Sequence, residues 1–146
     1  MEYHITLPSK PRIVSEEGVQ GVYEIDSLYP GYGHTLGNSL RRIIHASLPG
    51  ATVTSVRIEG VSHEFATIPG IVEDVTEIVL NIKKLVLRSH TRTAKTLRIE
   101  VERKKNITAK DVLTDDTVEI INPDLPIATL TKNVPFKMEL EVQKGR

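Results

Sequence analysis

Residues 29–50 read Tyr-Pro-Gly-Tyr-Gly-His-Thr-Leu-Gly-Asn-Ser-Leu-Arg-Arg-Ile-Ile-His-Ala-Ser-Leu-Pro-Gly: a turn, one helix and a stop. Pro30, Gly31 and Gly33 supply the turn. Thr35 is a candidate cap for the first helical turn, with His34 and Gly33 as alternative boundaries. Pro49-Gly50 ends the helix, because proline cannot continue it and glycine accepts a positive φ. Leu36, Leu40, Ile43, Ile44 and Leu48 recur at helical spacing and share one face. Asn38, Arg41, Arg42 and His45 fall opposite, and Gly37, Ser39, Ala46 and Ser47 are small enough to let another backbone approach. The helix is apolar on one side and basic on the other.

No Asp or Glu occurs between Ser27 and Ile58, so Arg41 and Arg42 have no acidic partner one helical turn away. Two readings stand: both arginines are solvated, or a partner molecule supplies carboxylates or phosphates, for which the guanidinium fork is suited.

Outward from this helix the pattern is mixed. Tyr3–Leu7 alternates, and residues 1–20 are expected to form an edge strand or an extended arm with an acidic turn at Glu16-Glu17-Gly18. Val19–Leu28 reads as a strand. In Ala51–Glu59, Val53, Ser55 and Arg57 oppose Thr54, Val56 and Ile58, the alternation of a half-buried strand. Residues 60–70 are loop-like, and Asp74–Leu85 reads as a second helix with Val75, Ile78, Val79, Ile82 and Leu85 inward. Glu73 and Asp74 at its start and Lys83 and Lys84 at its end complement the helix dipole. Candidate strands follow at 85–88, 96–102, 118–121, 127–130 and 136–142, with a single helical turn near 108–112. The fold class is α+β.

Composition narrows the function. The 146 residues suffice for one or two small domains; 39% are hydrophobic but only 4% aromatic, so aliphatic side chains do the packing. Net charge is zero and cysteine is absent, which removes disulfides and thiolate chemistry. No signal-peptide pattern and no apolar run near ~20 residues is present, and a cytoplasmic location without membrane contact is expected. Gly31-x-Gly33 followed by Gly37 misses the dinucleotide spacing by one. The five histidines are dispersed, His63-Glu64 lacks the second histidine of a zinc-protease motif, and no nucleophile elbow occurs. No catalytic residue, metal or cofactor is expected. Residues 83–110 carry ten Lys or Arg against Glu100 and Glu102, either a nucleic-acid contact or a solvated hairpin face.

Gly31–Arg42 closely resembles the signature helix of the bacterial RNA polymerase alpha subunit. Val53 to His63-Glu64-Phe65, Gly70–Val75 leading to Leu80–Lys83, and Val142–Arg146 are similar to the same family in the same order. The resemblance implies a non-catalytic assembly scaffold of DNA-directed RNA polymerase. Two alpha copies pair, then recruit the beta and beta-prime subunits, while nucleotide polymerisation belongs to the large subunits. Residues 1–50 would be part of the dimerisation domain. Residues 51–146 would be an inserted β-rich domain, incomplete at its C-terminal end. Tyr32, Leu36, Leu40, Ile43, Ile44 and Leu48 would pack the core and the alpha–alpha contact. Asn38, Arg41 and Arg42, with His63, Glu64, Glu73 and Asp74, would face the beta subunit. The family's chain continues past the equivalent of Gly145-Arg146 with a further helix that covers part of the apolar face, then a DNA-binding domain, so no DNA contact is expected here. The alternative is a small nucleic-acid-binding protein acting through residues 83–110; a standalone hydrolase or transferase lacks a nucleophile–base set.

Overall fold

Arg12–Glu17 (β1) and Gln20–Glu24 (β2) pair as an antiparallel hairpin in the computed structural model, which describes residues 7–146. The alternation expected at 3–7 lies almost wholly outside the described residues. Gly18 takes φ 55° at the first position of the two-residue turn, where a hairpin demands a positive angle. The extended arm expected for residues 1–20 is thus partly a strand pair, ending in the unit of the chain that closes at Leu48.

The first helix, Tyr32–Ser47 (α1), starts three residues before Thr35, so Thr35 is not its cap. Gly31 stands at the N-cap with φ 83°, a conformation open to glycine at little cost, and the N–H of Tyr32 donates to the carbonyl of Tyr29 at 3.0 Å. No side chain caps this end, and no acid sits in the first turn. The stop follows from proline alone. Pro49 holds the preceding Leu48 extended, while Gly50 keeps an ordinary φ and opens the next strand. Gly33 and Gly37 lie inside the helix and each cost about 0.5–1 kcal/mol relative to alanine. The apolar stripe expected to pack a core buries nothing: no residue of α1 is buried, Leu40 is 40% exposed and Ile44 57%.

Pro49–Arg146 forms the second unit. Its elements are β3 (Gly50–Ile58), α2 (Val75–Ile82), β4 (Leu87–Ser89), β5 (Lys95–Val101), β6 (Lys105–Thr108), a 3₁₀ turn at Ala109–Asp111, β7 (Val112–Leu113), β8 (Val118–Ile120), β9 (Pro126–Leu130) and β10 (Phe136–Gly145). Six strands join in the antiparallel order β7-β5-β10-β3-β4-β8, and β6 pairs separately with β9. Down the inner face of β10, Phe136, Met138, Leu140 and Val142 are all buried. In register on β5 stand Val101, Ile99, Leu97 and Lys95.

On the other side of β10 the register slips once. Leu140 pairs with Val56 but Val142 pairs with Val53, which leaves Thr54 as the extra residue of a bulge. Simple alternation sets Val53 opposite Val56 and Ile58. The bulge instead turns Ala51 and Val53 to the same face as Val56 and Ile58, and all four pack against the core.

The second helix is shorter than expected, because its last turn tightens. The N–H groups of Lys84 and Leu85 donate three residues back, to Asn81 and Ile82, and Leu85 is buried just beyond the helix end. Asp74 is its N-cap: Oδ1 accepts from the N–H of Glu77 at 2.8 Å, and the Glu77 carboxylate accepts from the N–H of Asp74 at 3.3 Å. Val75, Ile78 and Ile82 are buried from this helix.

Five of the ten cations in the basic segment find acids, two of them on neighbouring strands. Arg88 pairs with Glu119 at 3.7 Å, Lys95 with Asp115 at 3.5 Å, Arg98 with Glu139 at 3.8 Å, Lys110 with Asp124 at 2.8 Å, and Lys105 with Asp111. The last pair is the most enclosed: the Asp111 side chain is 13% exposed. Burial alone pushes the Asp111 carboxyl up. Hydrogen bonds from Lys105 and the N–H of Thr108, with the Lys105 and Arg103 charges, outweigh it, and its pKa falls below the usual value.

Two outcomes follow from this packing. Leu140→Ala, at a fully buried site, should cost about 2–5 kcal/mol in urea unfolding, while Leu40→Ala should change it by no more than about 0.5 kcal/mol in dilute solution. Because the Asp111 pKa is lower folded than unfolded, its contribution is complete above the unfolded value near ~4 and is lost as pH falls through the folded one. Asp111→Asn should therefore be less stable than the parent at neutral pH, by about 1–3 kcal/mol, and the gap should close in strong acid.

Candidate protein–protein interface

In the first unit, α1 presents its two faces as the spacing predicts. At about 100° per residue, Leu36, Leu40, Ile43 and Tyr32 fall within one arc, and Asn38 and His45 lie nearly opposite, flanked by Arg41 and Arg42. Asn38, Arg41 and Arg42 are exposed. Among the described residues neither arginine is in a salt bridge; Arg12, in the same unit, is paired with Glu24 at 2.9 Å. An unpaired, exposed arginine pair keeps all its planar donors for another molecule.

In the second unit, the four other candidate residues divide. His63 and Glu64 are exposed on the loop before α2 and line a groove of about 420 Å³ with Val53, Val56, Val61 and Val79. The carbonyl of Glu64 accepts from Thr76 Oγ1 at 2.8 Å, which ties the loop to α2 while the carboxylate stays outside. Glu73 and Asp74 are half-buried and already engaged. Both Glu73 oxygens accept from Thr129, one from its N–H at 2.7 Å and one from its hydroxyl at 2.9 Å. Asp74 caps α2. These two carboxylates hold the 63–74 loop to β9 and α2.

The loop's turn depends on Gly70, whose φ is 85° and whose missing Cβ would lie 3.1 Å from Val134. Within the same loop Phe65 is 78% exposed, whereas Phe136 is buried. Sequence reading did not single out Phe65 as a contact, since one apolar residue in a loop has no period to betray its direction. Thr129 was missed as the Glu73 partner for a different reason: the two are 56 positions apart. Among the described residues no group of three His, Asp or Glu side chains is placed to hold a metal ion, and no helix is long and apolar enough to cross a membrane.

Comparison with known proteins gives a consistent result. The sequence profile of the RNA polymerase Rpb3/RpoA insert domain matches residues 56–146. The chain is 53% identical over 141 residues to the DNA-directed RNA polymerase subunit alpha of Symbiobacterium thermophilum. It is 52% identical to that of Bacillus velezensis and 51% identical to that of Alkaliphilus metalliredigens, over 141 residues each. These alignments take in 94% of this chain but 45% of each relative, so the chain spans a little under half their length. With the insert-domain match over most of its second unit, the chain belongs to the bacterial DNA-directed RNA polymerase alpha-subunit family.

Proposed function

We propose that this chain is a non-catalytic assembly scaffold of a DNA-directed RNA polymerase, one that self-associates and recruits the beta and beta-prime subunits. The observation that carries this reading is α1: a helix with an uncovered apolar stripe on one side and an unpaired arginine pair on the other, in a chain of the alpha-subunit family. One helix thereby offers two chemically different contacts. Tyr32, Leu36, Leu40, Ile43, Ile44 and Leu48 meet a second copy through apolar burial. Asn38, Arg41 and Arg42 grip carboxylates or carbonyls of the beta subunit.

The loop from His63 to Asp74 adds a second contact to the same subunit. His63 and Glu64 supply exposed polar groups, and Glu73 and Asp74 act through the shape they give the loop. The rival reading, nucleic-acid binding through residues 83–110, draws less support. Arg88, Lys95, Arg98, Lys105 and Lys110 already face carboxylates of this chain, and fewer free cations means fewer phosphates neutralised.

Capture of purified beta subunit, read beside a denaturation curve, tests the assignment. Arg42→Ala should leave stability within about 0.5 kcal/mol and weaken capture by roughly 2–4 kcal/mol, the cost of truncating an interface arginine. Arg42→Lys should rescue in part, because an ammonium cannot reproduce the fork. Glu73→Ala should do the reverse in the first measurement, costing about 1–3 kcal/mol of stability by orphaning the Thr129 donors. Equal recovery of beta by the parent and Arg42→Ala would sink the role given to this face.

A further inference from the structure

β9 has two edges. One pairs with β6, and the other receives the chain between Gly70 and Glu73 as a short added strand, with Ile71 bridged to Leu130. Backbone groups of alternate residues point to alternate sides of a strand, so Thr129 and Thr131 both turn theirs toward this segment. The N–H of Val72 donates to the carbonyl of Thr129 at 3.0 Å, and the N–H of Thr131 donates to the carbonyl of Gly70 at 2.8 Å. Each threonine then adds its hydroxyl. Thr131 Oγ1 donates to the same Gly70 carbonyl at 3.2 Å, and Thr129 Oγ1 donates to Glu73 Oε1 at 2.9 Å. Valine would serve a plain strand as well as threonine does, so what the hydroxyls add is their hold on the loop.

That hold leads on to the exposed residues. Glu73 is followed by Asp74, the N-cap of α2. The first turn of α2 carries the other arm of the loop: Thr76 Oγ1 donates to the carbonyl of Glu64 at 2.8 Å, and the N–H of Val75 to the carbonyl of Ala66 at 3.1 Å. Toward its other end α2 is tied to the same strand, with Asn81 Nδ2 donating to the carbonyl of Ile127 at 3.0 Å. β9, α2 and the loop form one hydrogen-bonded frame, and His63 and Glu64 stand exposed on it.

We infer that Thr129 and Thr131 are positioning residues for the contact that His63 and Glu64 make with the beta subunit. The inference rests on the scaffold reading and adds to it where the geometry of that contact is set. The two threonines act through Glu73 and Gly70, not by touching the partner. Glu73 fixes the residue before the α2 cap, the first turn of α2 fixes the backbone at Glu64 and Ala66, and the exposed side chains are carried on that backbone. A loop held in one arrangement before binding loses less freedom on binding. Loosening the frame therefore weakens the contact without removing any group that makes it.

Capture of purified beta subunit by the full 146-residue chain, read beside amide hydrogen exchange of the chain alone, tests this. Thr129→Val keeps the branched shape and removes the donor. It should weaken capture by about tenfold and speed exchange of amides 72–76 by a similar factor, while amides of β5 and β10 stay as protected as in the parent. Thr129→Ser, which keeps the hydroxyl, should restore both. Thr131→Val, which leaves one of the two donors to Gly70, should shift both readings the same way by a smaller factor. In a chain already carrying His63→Ala and Glu64→Ala, Thr129→Val should weaken capture by no more than about twofold further, because it acts through those residues. A full tenfold loss in that background would overturn the role, as would equal capture by the parent and Thr129→Val. Weakened capture with unchanged exchange would overturn it by placing Thr129 in the contact itself. Each of these results leaves the scaffold reading standing. Absence of capture by the parent chain would remove that reading and this role together.

Discussion

The six-stranded sheet of the second unit hangs on the ladder that β10 makes with two neighbours at once. Because side chains alternate along a strand, a slip of one residue would turn Phe136, Met138, Leu140 and Val142 outward together and send Lys137 and Glu139 into the core. Burying those charges costs far more than any local adjustment. The register is therefore held by the sum of these positions, and the neighbours adapt to it. On the β3 side the adaptation is the bulge at Thr54, whose hydroxyl donates to the carbonyl of Glu141. Without it Val53 and Ala51 would share the outer face with Ser55 and Arg57.

What the sequence disclosed follows the same logic. The alternation of β5 and β10 and the helical period of α1 and α2 are local signals, and they placed these elements to within a few residues. β9 was read at 127–130, within a residue of its bounds, but its partner β6 and the two residues of β7 have too little length to show a period. The bulge was illegible because it depends on how β3 is matched to β10, a distant strand, and not on the pattern of β3 alone. The start of α1 was misjudged in an instructive way. The helix begins where Gly31 turns left-handed, though a threonine stands nearby with the right chemistry for a cap, since the Pro30-Gly31 turn has already directed the chain.

For the residues proposed as an interface, sequence discloses the lack of local acids but not the partners found in space. Its arginines could be named from the missing acids between Asp26 and Glu59, which is a fact of composition along the chain. Whether a cation far from any acid in sequence finds one in space is decided by strand register. Arg98 and Glu139 are 41 positions apart yet directly opposed on β5 and β10. The same rule explains Glu73 and Asp74. Their place at the start of α2 was legible in sequence, and Asp74 does cap that helix; the commitment of Glu73 to Thr129 was not.

The contrast between the two units supports the proposed scaffold reading. The second unit has a buried aliphatic cluster and cross-strand ion pairs. The first unit has the opposite endowment: exposed apolar side chains, interior glycines and unpaired arginines, each a cost or a neutral feature in isolation and each useful at an interface. Glycine at 33 and 37 weakens the helix by itself but leaves its surface low, so a second backbone can approach where a larger side chain would hold it away. Low relief on one side and unpaired guanidinium groups on the other are the features that the proposed scaffold reading asks of this helix.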